Sequence, residues 1–445
     1  MRLGLGFSDT GVTATDRRRI IRGTIHSFLI QGFSVVLVFA SNWWLVRSTD
    51  THSYGLYVHV FNWVSILAVL VLGGRDDLVL VQLPKYIAGG QGSRVRRLVR
   101  AANGWIFGAT LLAGGAFIGL ISLVPIRSLT EHRGLFLIAI AAVYFSACLS
   151  LNQVVLQALH HVRQSQIVEK IARPLLLIGC TALFRLSATR WDAVTLVWLG
   201  TIVSALCCLL ILGLTLRNMR SFTGEQPEQE PAGRHGRKTA YFFVTGLFNL
   251  LSTKVTMLIL PLFAPEGDIG IFNIAYRFAD LLIFPFYLMH SVLPQLFARH
   301  SPEEKTYTQS LYRESTRLMT LLSIPLLAIN ILAGPFLLGL FGAAFTAGYK
   351  ALVLVSLAQW LFSVFGAANT ILMTQDRENY SAYGMGMYVL ALVVSSWVLV
   401  PAWGITGGAL AVLISSAVYN VLLSVWVYRF YGIVTPFLTF LTKRS

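Results

Sequence analysis

Charge is scarce in this sequence of 445 residues. Asp, Glu, Lys and Arg together make up 12% of it, and only 19 residues are acidic. A soluble globular chain carries about 25% charged residues. With 56% hydrophobic residues and a mean hydropathy of +0.68, the sequence is that of a polytopic membrane protein. Cysteine is rare too. Cys148, Cys180, Cys207 and Cys208 all fall inside apolar runs, which gives neither a disulfide framework nor a metal site. Walker loops, HExxH, GxSxG and Cys/His metal spacings are missing, so nothing points to an enzyme, an ATPase, a cofactor or a bound metal. The formal charge of +16 would suit a nucleic-acid partner, but the hydropathy excludes that class.

Long apolar runs are what the sequence has. A membrane-spanning helix needs roughly 20 residues at 1.5 Å each. Windows of that size predict twelve spans, at 25–46, 55–74, 104–124, 135–156, 168–187, 194–215, 239–263, 270–297, 318–341, 347–372, 382–401 and 405–428. Residues 1–24, with "TDRRRIIRG", are polar and basic and read as a cytoplasmic N-terminus, not a cleavable leader. Of the 35 Lys and Arg residues, 27 fall in the N-terminus, the even-to-odd loops and the tail, six in the opposite loops and two inside spans. The positive-inside rule then puts both termini in the cytoplasm. The longest polar break, "RNMRSFTGEQPEQEPAGRHGRK", is rich in Gly, Pro, Glu and Gln and reads as a linker. The expected organisation is a basic N-terminus (1–24), an N-lobe of six spans (25–215), a cytoplasmic linker (216–238), a C-lobe of six spans (239–428) and a cytoplasmic tail (429–445).

An equal division invites a search for an internal repeat. "GLYVHVFNWVSIL" from Gly55 and "GIFNIAYRFADLL" from Gly270 align at an offset of 215, pairing Tyr57 with Phe272, Phe61 with Tyr276, Asn62 with Arg277 and Arg75 with His290. Six spans per half is an even number, so the two lobes are expected to be parallel repeats about an axis normal to the membrane. Carriers built from repeated halves place a cavity between them and open it alternately to each side.

Two cations lie where lipid should exclude them. Lys254 and Arg277 sit roughly 14 and 10 Å below the outer ends of the seventh and eighth spans at 1.5 Å per residue, on sequence-adjacent helices of opposite direction. An unaccompanied charge at such depth costs about 2.5–3.5 kcal/mol on insertion scales. Asp280 is spaced i, i+3 from Arg277 and can pair with it on one face; such a pair can equally be packing glue. Lys254 has no acid nearby in its span. One carboxylate against two cations leaves a surplus that suits a water-lined, anion-attracting cavity. "GGRDD", with Arg75, Asp76 and Asp77, lies at the cytoplasmic end of the second span, and the helical pattern continues through "LVLVQLPKY". His290 reads more readily as a satisfied core histidine than as a proton relay.

The segments "GIFNIAYRFADLLIFPFYLMHSVLPQLFARHS", "RLMTLLSIPLLAINILAGPFLLGLFGAAFTAGYKAL", "SYGLYVHVFNWVSILAVLVLGGRDDLVLVQLPKYIA" and "ALHHVRQSQIVEKIARPLLL" resemble polysaccharide transporters of the MATE-like flippase superfamily. The resemblance covers nearly the whole chain and implies an all-α fold of twelve helices in two six-helix lobes around a central cavity. It implies a flippase of polyprenyl-(pyro)phosphate-linked oligosaccharides in the bacterial inner membrane, as in O-antigen or exopolysaccharide assembly. Its partners would be the bilayer, the lipid-linked glycan, a polysaccharide polymerase and glycosyltransferases. On this reading Arg277 and Lys254 supply phosphate contacts, an Arg fork and a Lys point charge. Arg75 adds a contact on the cytoplasmic side, Asn62, the repeat counterpart of Arg277, joins the substrate-binding set, and Asp280, Asp76, Asp77, His290 and Arg173 support the site. A cation-exporting MATE-type drug carrier would need buried carboxylates instead. A non-transporting scaffold of a glycan synthase complex would need neither Lys254 nor Arg277.

Overall fold

The computed structural model describes residues 14–123, 132–185, 191–220, 222, 236–290, 293, 297, 305–374 and 377–435. Helices account for nearly all of them, and among the described residues the only strand-like pairing is an isolated bridge between Thr49 and Trp191. In hydrocarbon every backbone donor and acceptor must be satisfied within the segment, and helices do this.

The N-terminal half contains α1 (Ala14–Arg47), α2 (Thr51–Leu72), α3 (Arg75–Ala88), α4 (Gly92–Leu123), α5 (Arg133–Ala158) and α6 (Val162–Ile167). A π-turn at Val168–Ala172 joins α6 to α7 (Arg173–Arg185), and α8 (Ala193–Met219) ends the half. The C-terminal half begins with α9 (Gly236–Phe263) and α10 (Glu266–Asp280). A 3-10 turn at Leu281–Ile283 leads into α11 (Phe284–His290). Then come α12 (Lys305–Leu332), α13 (Gly334–Gly339), a 3-10 segment at Ala343–Gly348, α14 (Tyr349–Phe365), α15 (Ala368–Thr374) and α16 (Glu378–Tyr431). Non-helical Gly404 splits α16 into two passes, between the expected spans 382–401 and 405–428. Among the described residues nine helices are long and apolar enough to cross a membrane, α16 covering two of the expected spans, and each of the twelve expected spans falls largely on helix.

Their boundaries differ from hydropathy where polar turns of helix extend beyond lipid. Helix α4 starts at Gly92 and carries the basic "SRVRR" segment, and α12 starts at Lys305. The run expected to stay helical from 55 through "LVLVQLPKY" is broken. Gly73 and Gly74 are both left-handed, with φ of 56° and 73°, a region that glycine enters freely and other residues avoid. Gly74 also lies against the start of α9, where a Cβ would come within 2.5 Å of Thr239 O and Phe243 N. The linker at 216–238 falls largely outside the described residues, as do 1–13 and 436–445.

The two halves meet through α2, which packs on α10 and α9. Gly55 and Gly270, the pair related by the 215-residue offset, face each other: a Cβ on Gly270 would lie 3.3 Å from Gly55 N and 2.8 Å from Tyr54 Cδ1. Small residues let helix backbones approach this closely. At the same end His52 and His132 both approach the Glu266 carboxylate, at 3.9 and 3.8 Å. Trp43 and Arg47 of α1 donate to Leu340 O just beyond α13, the indole at 2.9 Å. This end, which carries the loops poor in Lys and Arg, is held shut between the halves.

Asp192 sets the start of α8. Its Oδ1 accepts from Thr195 N at 3.0 Å and from the Thr195 hydroxyl at 2.7 Å. These bonds favour the carboxylate and hold its pKa below the ordinary 3.8. The cap's contribution is therefore full above that value and is lost as pH falls through the lower, folded-state value. Asp192→Ala should destabilise the detergent-solubilised protein by about 1 kcal/mol. Thermal unfolding at neutral pH should show the difference, and it should shrink toward zero in strong acid.

Candidate functional site

A cavity of about 360 Å³ lies between the halves. Its walls come from α1, α2, the π-turn, α7 and α8 on one side and from α9 and α10 on the other. Lys254, Arg277, Asn62 and Arg173 all line it. Four residues distant in sequence thus converge on one space.

Two further ionisable residues line the cavity and were not singled out in the sequence: Lys170 and Glu169. Both sit in the π-turn, and Arg173 follows it directly. A π-turn inserts an extra residue into the helical repeat and occurs frequently at functional sites. Arg173 was expected to support the site, whereas Lys170, at the start of a span where charge is ordinary, gave little hint of its position. A spacing of three residues on a helix, at the start of a span, was the available signal.

The cations do not cancel against acids. Lys254 Nζ donates to Asn62 Oδ1 at 2.9 Å, and Asn62 Nδ2 faces Met257 Sδ at 3.5 Å. Lys170 donates to Gln31 Oε1. Both partners are neutral, so neither bond pairs a cation with an acid. Arg277 Nε is buried without a hydrogen-bond partner. The walls carry Lys170, Arg173, Lys254 and Arg277 against Glu169 alone, and among the described residues no ion pair within 4 Å joins any of these five. A neutral rim completes the site. Asn273 Nδ2 donates to Tyr54 Oη at 3.1 Å, and that hydroxyl donates to Asn42 Oδ1 at 3.0 Å. This chain of bonds crosses from one half to the other beside the cations. Preorganised cations without internal counter-ions leave donors and field available to an incoming anion.

The expected Arg277–Asp280 pair is not formed. Asp280 ends α10 where the helix tightens into the 3-10 turn, and its Oδ1 accepts from Gln359 Nε2 at 3.4 Å. It lines a separate cavity in the C-terminal half. The carboxylate turns to Gln359, and no ion pair with Arg277 within 4 Å forms. Arg75 is also apart from the central cavity. It begins α3, and its guanidinium stacks on Trp105, 3.4 Å from the ring centroid, while Trp105 donates to Val71 O. Asp76 and Asp77 occupy the first turn of α3, where the helix dipole favours acids; neither lines the central cavity. The side chain of His290 lies outside the described residues.

Comparison with solved structures identifies the architecture. The lipid II flippase MurJ in an inward closed conformation matches with a TM-score of 0.70 at 12% identity, over 91% of this chain and 87% of that one. An inward-facing multidrug resistance MATE family transporter of the MOP superfamily matches at 0.66 and 14% identity, over 90% and 94%. A MOP superfamily transporter from Pyrococcus furiosus, described as having a binding pocket of reverse polarity, matches at 0.62 and 14%, over 91% and 93%. At these identities the likeness establishes the fold: two lobes of six helices around a central cavity. No curated protein sequence matches the chain. The profile of the family described as "Polysaccharide biosynthesis protein" matches residues 20–299. With that match over most of its length and a fold to accord with it, this chain belongs to the polysaccharide biosynthesis protein family.

Proposed function

We propose that the protein is a flippase for polyprenyl-(pyro)phosphate-linked oligosaccharides, working in the bacterial inner membrane by alternating access of the central cavity. The observation that carries this is the cavity's charge: four cations and one acid face one space between two lobes. A phosphate needs such a site and a cationic drug is repelled by it. A passive scaffold has no use for it, because each uncompensated charge lowers the stability of the membrane fold. In the proposed cycle the phosphate binds Arg277 and Arg173 through their forks, with Lys254 and Lys170 as point charges. Binding withdraws Lys254 from Asn62, and the lobes rearrange about the α2–α10 contact. Arg75, with Asp76 and Asp77 beside it, remains proposed as an outlying contact on the cytoplasmic side, and a polymerase and glycosyltransferases as partners that supply and consume the glycan.

The test is a proteoliposome assay in which a fluorescent polyprenyl-diphosphate-linked glycan moves into reach of a membrane-impermeant quencher. Protein-dependent movement, inhibited by unlabelled polyprenyl diphosphate, is expected. Export of a cationic dye without any movement of the lipid would instead assign the protein to drug efflux. Orientation is tested separately, from the Lys/Arg asymmetry. Reporter fusions at Gly224 and Ser445 should both give cytoplasmic signals, and a periplasmic signal at either would reverse the proposed direction of transport.

A further inference from the structure

The second cavity, about 390 Å³, lies within the C-terminal half between α9, α10, α11, α14, α15 and α16. Its chemistry is opposite to that of the first. No Lys, Arg or His lines it, and Asp280 is its single charge. The walls combine six aromatic rings with four side-chain amides and several hydroxyls. The amides are arranged with capacity to spare. Gln359 reaches Asp280 Oδ1 at 3.4 Å, leaving Oδ2 free to accept. Asn420 donates from Nδ2 to Ser416 O at 2.8 Å, so its Oδ1 is open, and Ser416 Oγ is buried without a partner.

A phosphate is repelled here by Asp280, and a purely apolar chain would strand the amides and the carboxylate. A pyranose ring meets both demands. Its C–H face packs on aromatic rings, and its rim of hydroxyls pairs with carboxylate and amide groups. The volume falls within the ~300–1,000 Å³ typical of small-ligand sites. The position fits as well. Thr253 and Tyr276 line this cavity, while their chain neighbours Lys254 and Arg277 line the cationic one. The two cavities therefore flank the same stretch of the α9–α10 wall.

We infer that the C-terminal cavity is a carbohydrate site, with Asp280, Gln359 and Asn420 bonding hydroxyls and Tyr287 and Tyr388 packing on the sugar face. It rests on the phosphate reading only in assigning the sugar to the lipid-linked substrate. The test uses the full-length protein in detergent and two probes: bare polyprenyl diphosphate, and the free oligosaccharide released from the lipid-linked glycan of the cells that make this protein. Binding is followed by calorimetry. The free oligosaccharide should bind wild type, and Tyr287→Ala and Asp280→Asn should each weaken it about tenfold while leaving bare polyprenyl diphosphate unchanged. Tyr287 is 58% exposed, so its truncation spares the fold, and equal melting temperatures check this. Arg277→Ala should do the reverse, weakening the lipid and sparing the oligosaccharide. Absence of oligosaccharide binding to wild type, or equal binding by the Tyr287 and Asp280 variants, overturns the carbohydrate site. Bare lipid binding unaffected by Arg277→Ala overturns the phosphate reading instead and leaves the sugar result standing.

Discussion

Arg277→Ala should reduce glycan export per molecule by about 30- to 100-fold while the protein still inserts and folds. A hydrogen bond to a charged group contributes about 1.5–3 kcal/mol, and a bidentate fork supplies two. The Nε of Arg277 is buried without a hydrogen-bond partner, so its removal takes away a donor that the fold itself does not use. Arg277→Lys should recover part of the activity, because the charge returns without the planar fork. Asp280→Ala is informative beside it. Asp280 faces the other cavity, three residues along the same helix, so the double mutant measures how far the two are coupled: the departure from additive free-energy effects is their interaction. The measurement is export normalised to membrane protein level. Normal export per molecule for Arg277→Ala would remove the phosphate role. Rescue of Arg277→Ala by Asp280→Ala would restore the packing-pair interpretation that the structure speaks against.

Gly55→Val should be strongly destabilising although it lies outside the cavity. A Cβ at Gly55 would sit 1.9 Å from Glu266 O and 2.6 Å from its carbonyl carbon, and neither backbone atom can swing aside as a side-chain end can. The clash can be relieved only by moving α2 and α10 apart, which also disturbs the contacts of His52 and His132 with Glu266. Overpacking a tight contact costs typically 1–3 kcal/mol, occasionally more. A melting temperature several degrees lower in detergent is expected. Spin labels at Thr51 and Gly267, which touch across this junction, should separate. An unchanged label distance with an unchanged melting temperature would show that the two helices are not committed to this approach.

How much of this was legible in the sequence depends on the kind of signal. Hydropathy placed its spans on helix because lipid imposes it over whole segments. Gly55 and Gly270, which the offset of 215 aligns, meet where a close backbone approach admits nothing larger, a contact that the alignment did not foretell. Lys254 and Arg277 stood out because charge is rare at that depth, and they do share a wall. Lys170 and Glu169 did not stand out. They lie near the start of a span, where charge is ordinary, and no sequence periodicity announces a π-turn. The Arg277–Asp280 pair failed for a different reason. Spacing of i, i+3 on a helix permits a contact without enforcing it, and the Asp280 carboxylate turns to Gln359 from a neighbouring helix. The continuous helix expected through Arg75 was misread because Gly73 and Gly74 turn the chain, so that α3 starts afresh and presents the guanidinium to Trp105.

The unmatched cations have a mechanical consequence. Like charges enclosed in one small space push against each other, more strongly as the surroundings exclude water. That push acts on both walls of the cleft at once, opposed by ties to neutral groups such as that of Lys254 to Asn62. On the proposed function, a bound dianion would supply attraction in its place. The force between the halves would then change sign with occupancy, and closure would need no separate sensor to tell whether cargo is aboard.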